Sequence, residues 1–181
     1  MHEFILNNIL SQLRKMEIYI LRHGKAEERL SNVKSDSKRK LTIDGKNEMG
    51  ELAKGIKNLN LSFDYIISSP LVRATETADI VIKHISGKVK KVTIWNELKP
   101  ESNVTDTHKK LVKFAPDAKI LLVGHEPHLT NLISSMISNT SKVSINLKKG
   151  GFISIRGNTS NSKIVGSLRS LLTPKQLKLC N

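Results

Sequence analysis

The chain has 181 residues and a mass of 20.2 kDa, and at roughly 150 residues per domain this length predicts one compact domain. Apolar residues make up 38% and charged residues 25%, and no apolar run approaches the ~20 residues of a membrane-spanning helix, so disordered, collagen-like and transmembrane classes are excluded. The chain has a single cysteine, Cys180, which excludes an intrachain disulfide. No set of Cys and His residues has the spacing of a structural zinc site. From these features we expect a cytoplasmic location.

The charge of the chain is strongly positive and unevenly distributed. Thirty Lys and Arg against 16 Asp and Glu leave a net charge of +14, and beyond Glu126 eight basic residues follow without one acidic residue. Such an excess favours an anionic partner, whether nucleic acid, a phosphorylated ligand, an acidic protein or a membrane surface, with a merely solvated basic surface as the alternative. The aromatic content of 4% argues against a single-stranded nucleic-acid partner, because such sites stack bases on aromatic rings.

Residues 1–16 are interpreted as an N-terminal extension that precedes the folded domain, which spans residues 17–181. Apolar residues at helical spacing predict a short helix within the extension, and a misassigned start is the alternative. Its positive charges follow the apolar stretch instead of preceding it, which argues against a signal peptide.

From residue 17 onwards, strand patterns alternate with helix patterns. In chain order we predict strand 17–21, a polar loop at 31–40, helix 42–59, strand 63–67, helix 71–85, strand 91–95, helix 103–114, strand 119–123, helix 128–137, and short strands at 144–147, 152–155 and 163–167 before a basic tail. Residues 148–151 (Lys-Lys-Gly-Gly) are predicted to form a hairpin turn that could help to dock an acidic partner. The alternation predicts one α/β domain, a three-layer sandwich with a largely parallel central sheet flanked by helices.

Reactive side chains follow the ends of three predicted strands. Arg22 and His23 end the first strand, Arg73 follows the second, and His125 ends the most apolar one. Because ligands of open α/β sheets bind beyond the carboxyl ends of the strands, these four residues are expected to converge.

Two histidines with two arginines suit phosphoryl transfer. A neutral imidazole nitrogen can attack phosphorus and hold the phosphoryl group, while guanidinium groups bind its oxygens bidentately. A second histidine, if protonated, donates a further hydrogen bond, and Gly24 lets the backbone approach the ligand closely. No metal or other cofactor is needed.

Five motifs extend this pattern over about residues 16–170. In order they are Leu21-Arg22-His23-Gly24, Leu41-Thr42-x-x-Gly45, Ser68-Ser-Pro-Leu-x-Arg73-Ala-x-x-Thr77-Ala78, Asn96-Glu97-Leu98-x-Pro100, and Val123-Gly124-His125-Glu126-Pro127. The set resembles that of the histidine phosphatase superfamily, which includes phosphoglycerate mutases. Within this superfamily, the short length of the chain and the forms of its last two motifs look most like the SixA-type phosphohistidine phosphatases.

The resemblance implies a metal-independent phosphatase in which His23 becomes phosphorylated and Arg22, Arg73 and His125 form the phosphate pocket. Larger relatives carry inserted segments that cap the site. Here Arg73 and Asn96 lie only 23 positions apart, so no cap domain is expected. An open site suits a phosphohistidine on the surface of a phosphorelay or signalling protein.

Glu97 occupies the position where related phosphomonoesterases often place a general acid. It either protonates the leaving group, which would require a raised pKa, or it orients an arginine. An imidazole leaving group has an ordinary pKa near ~6.5, so it depends far less than an alkoxide does on a general acid that protonates it.

Two other functions remain open on sequence grounds: a small-molecule phosphomonoesterase, and a basic binding module with vestigial catalysis. Among the remaining histidines, His2, His84 and His108 are predicted to lie on the surface, and His128 is predicted to be structural.

Overall fold

A computed structural model of the chain describes residues 15–28, 36–85, 89, 91–138 and 143–181. Over these ranges, strands and helices alternate until two long strands near the carboxyl terminus. The elements are β1 (Met16–Arg22), α1 (Ile43–Asn58), β2 (Tyr65–Ser68), α2 (Val72–His84), β3 (Thr93–Ile94), a 3-10 helix (Asn96–Leu98), α3 (Val104–Leu111), β4 (Lys119–Gly124), α4 (His128–Ile137), β5 (Phe152–Ser160), β6 (Lys163–Leu172) and α5 (Pro174–Lys178).

The strands form one six-stranded sheet in the order β3-β2-β4-β1-β5-β6. The strands β1 to β4 pair in parallel, whereas β5 is antiparallel to both β1 and β6, so β5 alone runs against the others. Helices α1, α2 and α5 cover one face and α3 and α4 cover the other. The predicted α/β class with a largely parallel sheet between helices is confirmed.

The central strand β1 has a side chain in each of two cores. Ile18 and Ile20 pack into the core shared with α3 and α4, while Tyr19 and Leu21 pack into the core shared with α1 and α2. Alternate residues of a strand point to opposite faces, so a strand covered on both faces must be apolar at nearly every position. Met16 is also buried in this strand, which begins one residue before the predicted strand 17–21. The helix predicted within residues 1–14 lies outside the described residues.

The carboxyl-terminal part differs from the sequence prediction. No strand forms at 144–147; this segment instead leads to a turn at Lys149 and Gly150, while β5 and β6 are about twice as long as predicted and pair with each other. The turn at 148–151 therefore does not join two paired strands. Leu147 is buried in the core on the α3 and α4 side although its segment is irregular, and its backbone carbonyl accepts a hydrogen bond from Arg22.

The predicted basic tail contains a helix, α5. Thr173 caps its first turn, Pro174 occupies the first helical position, and Gln176 completes a capping box with Thr173. Leu177 is fully buried against α1. The Thr-Pro-x-Gln pattern is the local sequence signal of this helix, which was not among the predicted elements.

The surface prediction for His108 is wrong. Its side chain is buried, its Nδ1 accepts a hydrogen bond from the backbone N–H of Ile164, and its Nε2 bonds the hydroxyl of Ser135 at 2.8 Å. Burial lowers the pKa of His108 to about 4. His84 is half-buried, and His128 is buried with hydrogen bonds to Thr107 and to the carbonyl of Ser102, as expected of a structural residue.

In the described part of the chain, no helix is long and apolar enough to cross a membrane.

Two glycines of α1 provide a test of the packing. A methyl group added to Gly50 would meet no atom within 4 Å, whereas one added to Gly55 would lie 2.1 Å from the backbone oxygen of Leu177. We expect Gly50→Ala to raise the free energy of unfolding by roughly 0.5–1 kcal/mol, because alanine favours the helix. We expect Gly55→Ala to lower it by roughly 1–3 kcal/mol, because α5 must move away from α1. Urea unfolding of both variants checks this pair, and a loss of stability in Gly50→Ala would contradict it.

Candidate active site

The carboxyl ends of β1, β2 and β4 meet at one edge of the sheet. Arg22 lies opposite Gly124 and Ser68 lies opposite Val123, so the residues that follow each strand are neighbours. The backbone N–H of His23 extends this register by one further bond, donated to the Gly124 carbonyl at 3.1 Å. Because parallel strands end together, His23 and His125 are brought side by side, with ring centroids 4.9 Å apart.

His23 is held as a neutral imidazole with a free lone pair on Nε2. Its Nδ1 lies 2.7 Å from the Gly24 carbonyl, which can only accept, so Nδ1 carries the proton. Nε2 then accepts a long hydrogen bond of 3.3 Å from Nε of Arg73. Burial, together with the charges of Arg73, Arg22 and Lys149, lowers the pKa of His23 to about 3, against the opposing effect of the Gly24 carbonyl. A neutral Nε2 is the form that can attack phosphorus.

His125 is also buried and neutral. Its Nε2 lies 2.9 Å from the hydroxyl of Ser69, which itself accepts a hydrogen bond from the backbone N–H of Leu71. A hydroxyl can accept two hydrogen bonds and donate one; we assign its hydrogen to the bond with Nε2, which places the ring proton on Nδ1. Burial, followed by the neighbouring His23, Arg73 and Arg22, lowers the pKa of His125 to about 2. His125 is thus a neutral donor in the free site, and an incoming phosphate dianion would raise its pKa.

The two arginines are anchored in different ways. Arg22 donates from Nη1 to the Leu147 carbonyl at 2.7 Å. The nearly buried Arg73 donates from Nη1 to the backbone oxygen of Asp36 at 2.8 Å and from Nη2 to its carboxylate at 3.1 Å, and Asp36 also pairs with Arg39. The neighbouring guanidinium groups hold the pKa of Asp36 below its ordinary value in spite of its partial burial. These anchors fix both guanidinium groups before any ligand binds.

A cleft of about 540 Å³ opens above these four residues. Its basic residues outnumber its acidic ones, and one wall comes from the segment after the 3-10 helix. The lining residues are Arg22, His23, Asp36, Ser37, Arg39, Leu71, Arg73, Lys99, Pro100, Glu101, His125, Glu126 and Lys149. Arg22, His23, Arg73 and His125 are therefore brought together, as the sequence predicted. No group of three His, Cys, Asp or Glu among the described residues could hold a metal ion.

Buried side-chain atoms without hydrogen-bond partners are concentrated in this cleft. Within the described ranges there are three: Nε of Arg22, Nδ1 of His125 and Oε1 of Glu126. Buried polar atoms are almost always paired in folded proteins, and an unpaired one costs about 1–3 kcal/mol. Two unmatched donors beside a nucleophilic nitrogen match the oxygens of a phosphoryl group.

Gly24 has a different position from the one predicted. It does not line the cleft, because its Cα packs on α1, where an added methyl group would lie 2.6 Å from Cγ of Met49. Its N–H donates to the hydroxyl of Thr77, which in turn donates to the Arg73 carbonyl at 2.7 Å. The glycine is needed for close helix packing, and its carbonyl orients His23.

Glu97 does not line the cleft either. Its carboxylate accepts a hydrogen bond from Lys110 at 2.7 Å, and this bond lowers the pKa of Glu97 below its ordinary value. A general acid needs the opposite shift, and the ion-pair partner found here is a lysine and not an arginine. Glu97 therefore stands at the motif position expected for a general acid, but its carboxylate binds Lys110 on α3 and does not reach the cleft.

Several cleft residues were not predicted; for Lys149 the sequence indicated only a turn that could help to dock an acidic partner. The turn that carries it is bonded to the first strand: Gly150 donates to the Arg22 carbonyl at 3.0 Å, and Arg22 donates to the Gly151 carbonyl at 3.1 Å. Gly150 has a φ of 73°, in the left-handed region that favours glycine. The Lys-Lys-Gly-Gly sequence indicated a turn, but only the tertiary contact shows that Lys149 lines the cleft.

The chain is similar in sequence to a known family. Residues 18–104 match the model of the histidine phosphatase superfamily (branch 1). The chain is 34% identical over 143 residues to an uncharacterized protein of Picosynechococcus sp. (strain PCC 7002), covering 78% of this chain and 85% of that protein. The chain therefore belongs to the histidine phosphatase superfamily, whose members are phosphatases with a histidine nucleophile.

The fold is similar to that of several solved phosphatases. The protein histidine phosphatase SixA complexed with tungstate superposes with a TM-score of 0.75 at 21% identity, covering 90% of this chain and 99% of that one. A phosphoserine phosphatase from Entamoeba histolytica, in complex with phosphoserine, gives a TM-score of 0.64 at 18% identity, covering 90% and 99% of the two chains.

The two neighbouring lysines of the turn test the electrostatics of the cleft. Lys149 lines the cleft and Lys148 does not, although both side chains are exposed. We expect Lys149→Gln to weaken binding of inorganic phosphate roughly 3- to 10-fold, because it removes one nearby charge at partial solvent screening. The matched control Lys148→Gln should change binding less than about twofold. Titration calorimetry with phosphate measures both, and equal effects would contradict the assignment.

The protonation states of the two histidines are testable by NMR. Because the pKa of His23 is lowered to about 3 and that of His125 to about 2, both rings should stay neutral as the pH falls from 8 to 5. Their ring resonances should therefore not titrate over this range in the free protein. Added phosphate should shift the midpoint of His125 upwards. A midpoint near ~6.5 for either ring in the free protein would contradict this account.

Proposed function

We propose that this protein removes the phosphoryl group from phosphohistidine on a protein, through a covalent intermediate on His23. The observation that carries the proposal is the neutral Nε2 of His23 at the base of an open cationic cleft, beside two buried donors that have no partner among the described residues. The solved structure of SixA with tungstate, an oxyanion that resembles phosphate, supports the same kind of ligand.

In the first step, the lone pair of Nε2 of His23 attacks phosphorus. The bond from phosphorus to the substrate nitrogen breaks, and its electron pair returns to that nitrogen. Nε of Arg73, which lies 3.3 Å from Nε2 in the free site, is released from that nitrogen and can bind a phosphoryl oxygen. Arg22 and the Nδ1–H of His125 stabilise the negative charge that spreads over the oxygens.

In the second step, water attacks the phosphorus and the bond to Nε2 breaks. The proton on Nδ1 stays there because the Gly24 carbonyl accepts it at 2.7 Å. His23 therefore leaves as neutral imidazole and not as the strongly basic imidazolate. The water protons pass to the phosphate oxygens and to solvent, and orthophosphate is released.

Two features favour phosphohistidine over a phosphate ester. The connection between α2 and β3 consists only of residues 85–92, which leaves no room for a cap that would enclose a small substrate. The carboxylate expected to protonate an alkoxide, Glu97, lies outside the cleft with a lowered pKa. An imidazole leaving group does not need such an acid, since its ordinary pKa is near ~6.5.

The rim of the cleft indicates an acidic surface around the phosphohistidine of the partner. Lys99 and Lys149 line the mouth, and the adjoining Lys148 is exposed. Beyond Glu126 the chain has no acidic residue, so this side of the domain has no acidic side chain from β5 or β6 to offset these lysines. Complementary charge of this kind accelerates encounter and fixes orientation more than it adds affinity.

The decisive assay compares phosphate release from a phosphohistidine-bearing protein and from phosphoserine. Wild type is expected to prefer the phosphohistidine protein, and His23→Ala should reduce turnover at least ~10³-fold, since it removes the nucleophile. Glu97→Gln serves as the folded control and should change the rate less than about twofold. Preference for phosphoserine would instead assign a small-molecule phosphomonoesterase. Binding of either compound without turnover would assign a binding module.

A further inference from the structure

Glu126 is one of three acidic residues in a cleft whose basic residues outnumber the acidic ones. It follows His125 directly and lines the same cleft. Its Oε2 accepts a hydrogen bond from the hydroxyl of Thr130, whereas Oε1 is buried without a partner among the described residues. A carboxylate repels phosphate, so a contact with phosphoryl oxygens does not explain its position.

The unmatched atoms of the cleft form a complementary set. Arg22 and His125 offer donors, and Glu126 offers one acceptor. A phosphate ester of an alcohol has only acceptors around its phosphorus. A phosphorylated imidazole has acceptors on phosphorus and, when its other ring nitrogen is protonated, a donor on the leaving group.

That ring proton decides how easily the phosphorus–nitrogen bond breaks. With the distal nitrogen protonated, the departing group is neutral imidazole; without the proton it is the imidazolate anion, a far stronger base and a poorer leaving group. The site already contains one acceptor that retains such a ring proton: the Gly24 carbonyl oxygen lies 2.7 Å from Nδ1 of His23 and holds the proton on that nitrogen.

We propose that Glu126 binds the distal ring N–H of the substrate's phosphohistidine and keeps it protonated during transfer to His23. This inference rests on the proposed function. When Nε2 of His23 bonds to phosphorus, the electron pair of the breaking bond goes to the proximal substrate nitrogen. The proton stays on the distal nitrogen beside Glu126, and neutral imidazole departs. Thr130 fixes the carboxylate through its second oxygen.

The test compares two substrates that differ in the leaving group: a phosphohistidine peptide and an aryl phosphate, which has no N–H on its leaving group. Glu126→Gln removes the charge and retains the size. We expect kcat/KM for the peptide to fall roughly 10- to 100-fold, as for loss of a charged hydrogen bond, and that for the aryl phosphate to change less than about threefold.

The pH profile provides a readout that a purely structural role would not change. In Glu126→Gln, activity on the peptide should decline as the pH rises through the pKa of the substrate's own ring, near the ordinary ~6.5 of imidazole, because nothing then retains the proton. Wild type should retain its activity to higher pH. The control is Asp79→Asn, which removes an exposed carboxylate of α2 outside the cleft and should affect both substrates equally and by less than about twofold.

Equal losses on both substrates in Glu126→Gln, or no loss on either, would overturn the inference. The unfolding temperature of Glu126→Gln, compared with that of Thr130→Val, shows whether an equal loss comes from a weakened start of α4. Failure of the proposed function is distinguishable, because wild type itself would then not release phosphate from the peptide.

Discussion

The parallel pairing of β1 with β4 is the constraint on which the site depends. It continues past the end of β1, where the backbone N–H of His23 bonds to the Gly124 carbonyl. This bond sets the position of His23 relative to His125, and a register shift of one residue would turn the first histidine to the other face of the sheet. The apolar side chains of β1 and β4, packed into cores on both faces, resist such a shift.

Burial and positive charge act together on His23. Arg22, Arg73 and Lys149 provide a potential that favours an anion, and the same charges lower the pKa of His23. A group of cations suited to an anion therefore also keeps Nε2 of His23 free of a proton. The Gly24 carbonyl completes the arrangement, since it holds the one proton of the ring on the nitrogen that does not react.

The arrangement of polar groups in the cleft before a ligand binds lowers the stability of the fold. Arg73 is anchored by Asp36 and Arg22 by the Leu147 carbonyl before a ligand arrives, while three buried polar atoms have no partner among the described residues. These unpaired atoms oppose stability, and the residues that carry them line one cleft. Two extensive apolar cores on either side of the sheet offset that cost and keep the cleft rigid.

The sequence by itself determined the class of fold, the family, and the four residues that meet at the sheet edge. It did so because strand and helix periods, glycine and proline positions, and the residues that follow strands are local properties. Only the tertiary structure decided which residues share the cleft. Lys149 enters it because a turn more than 120 residues away along the chain is bonded to Arg22, and Glu97 is excluded because Lys110 on α3 binds its carboxylate. Such contacts depend on distances between segments remote in sequence, which no local pattern encodes.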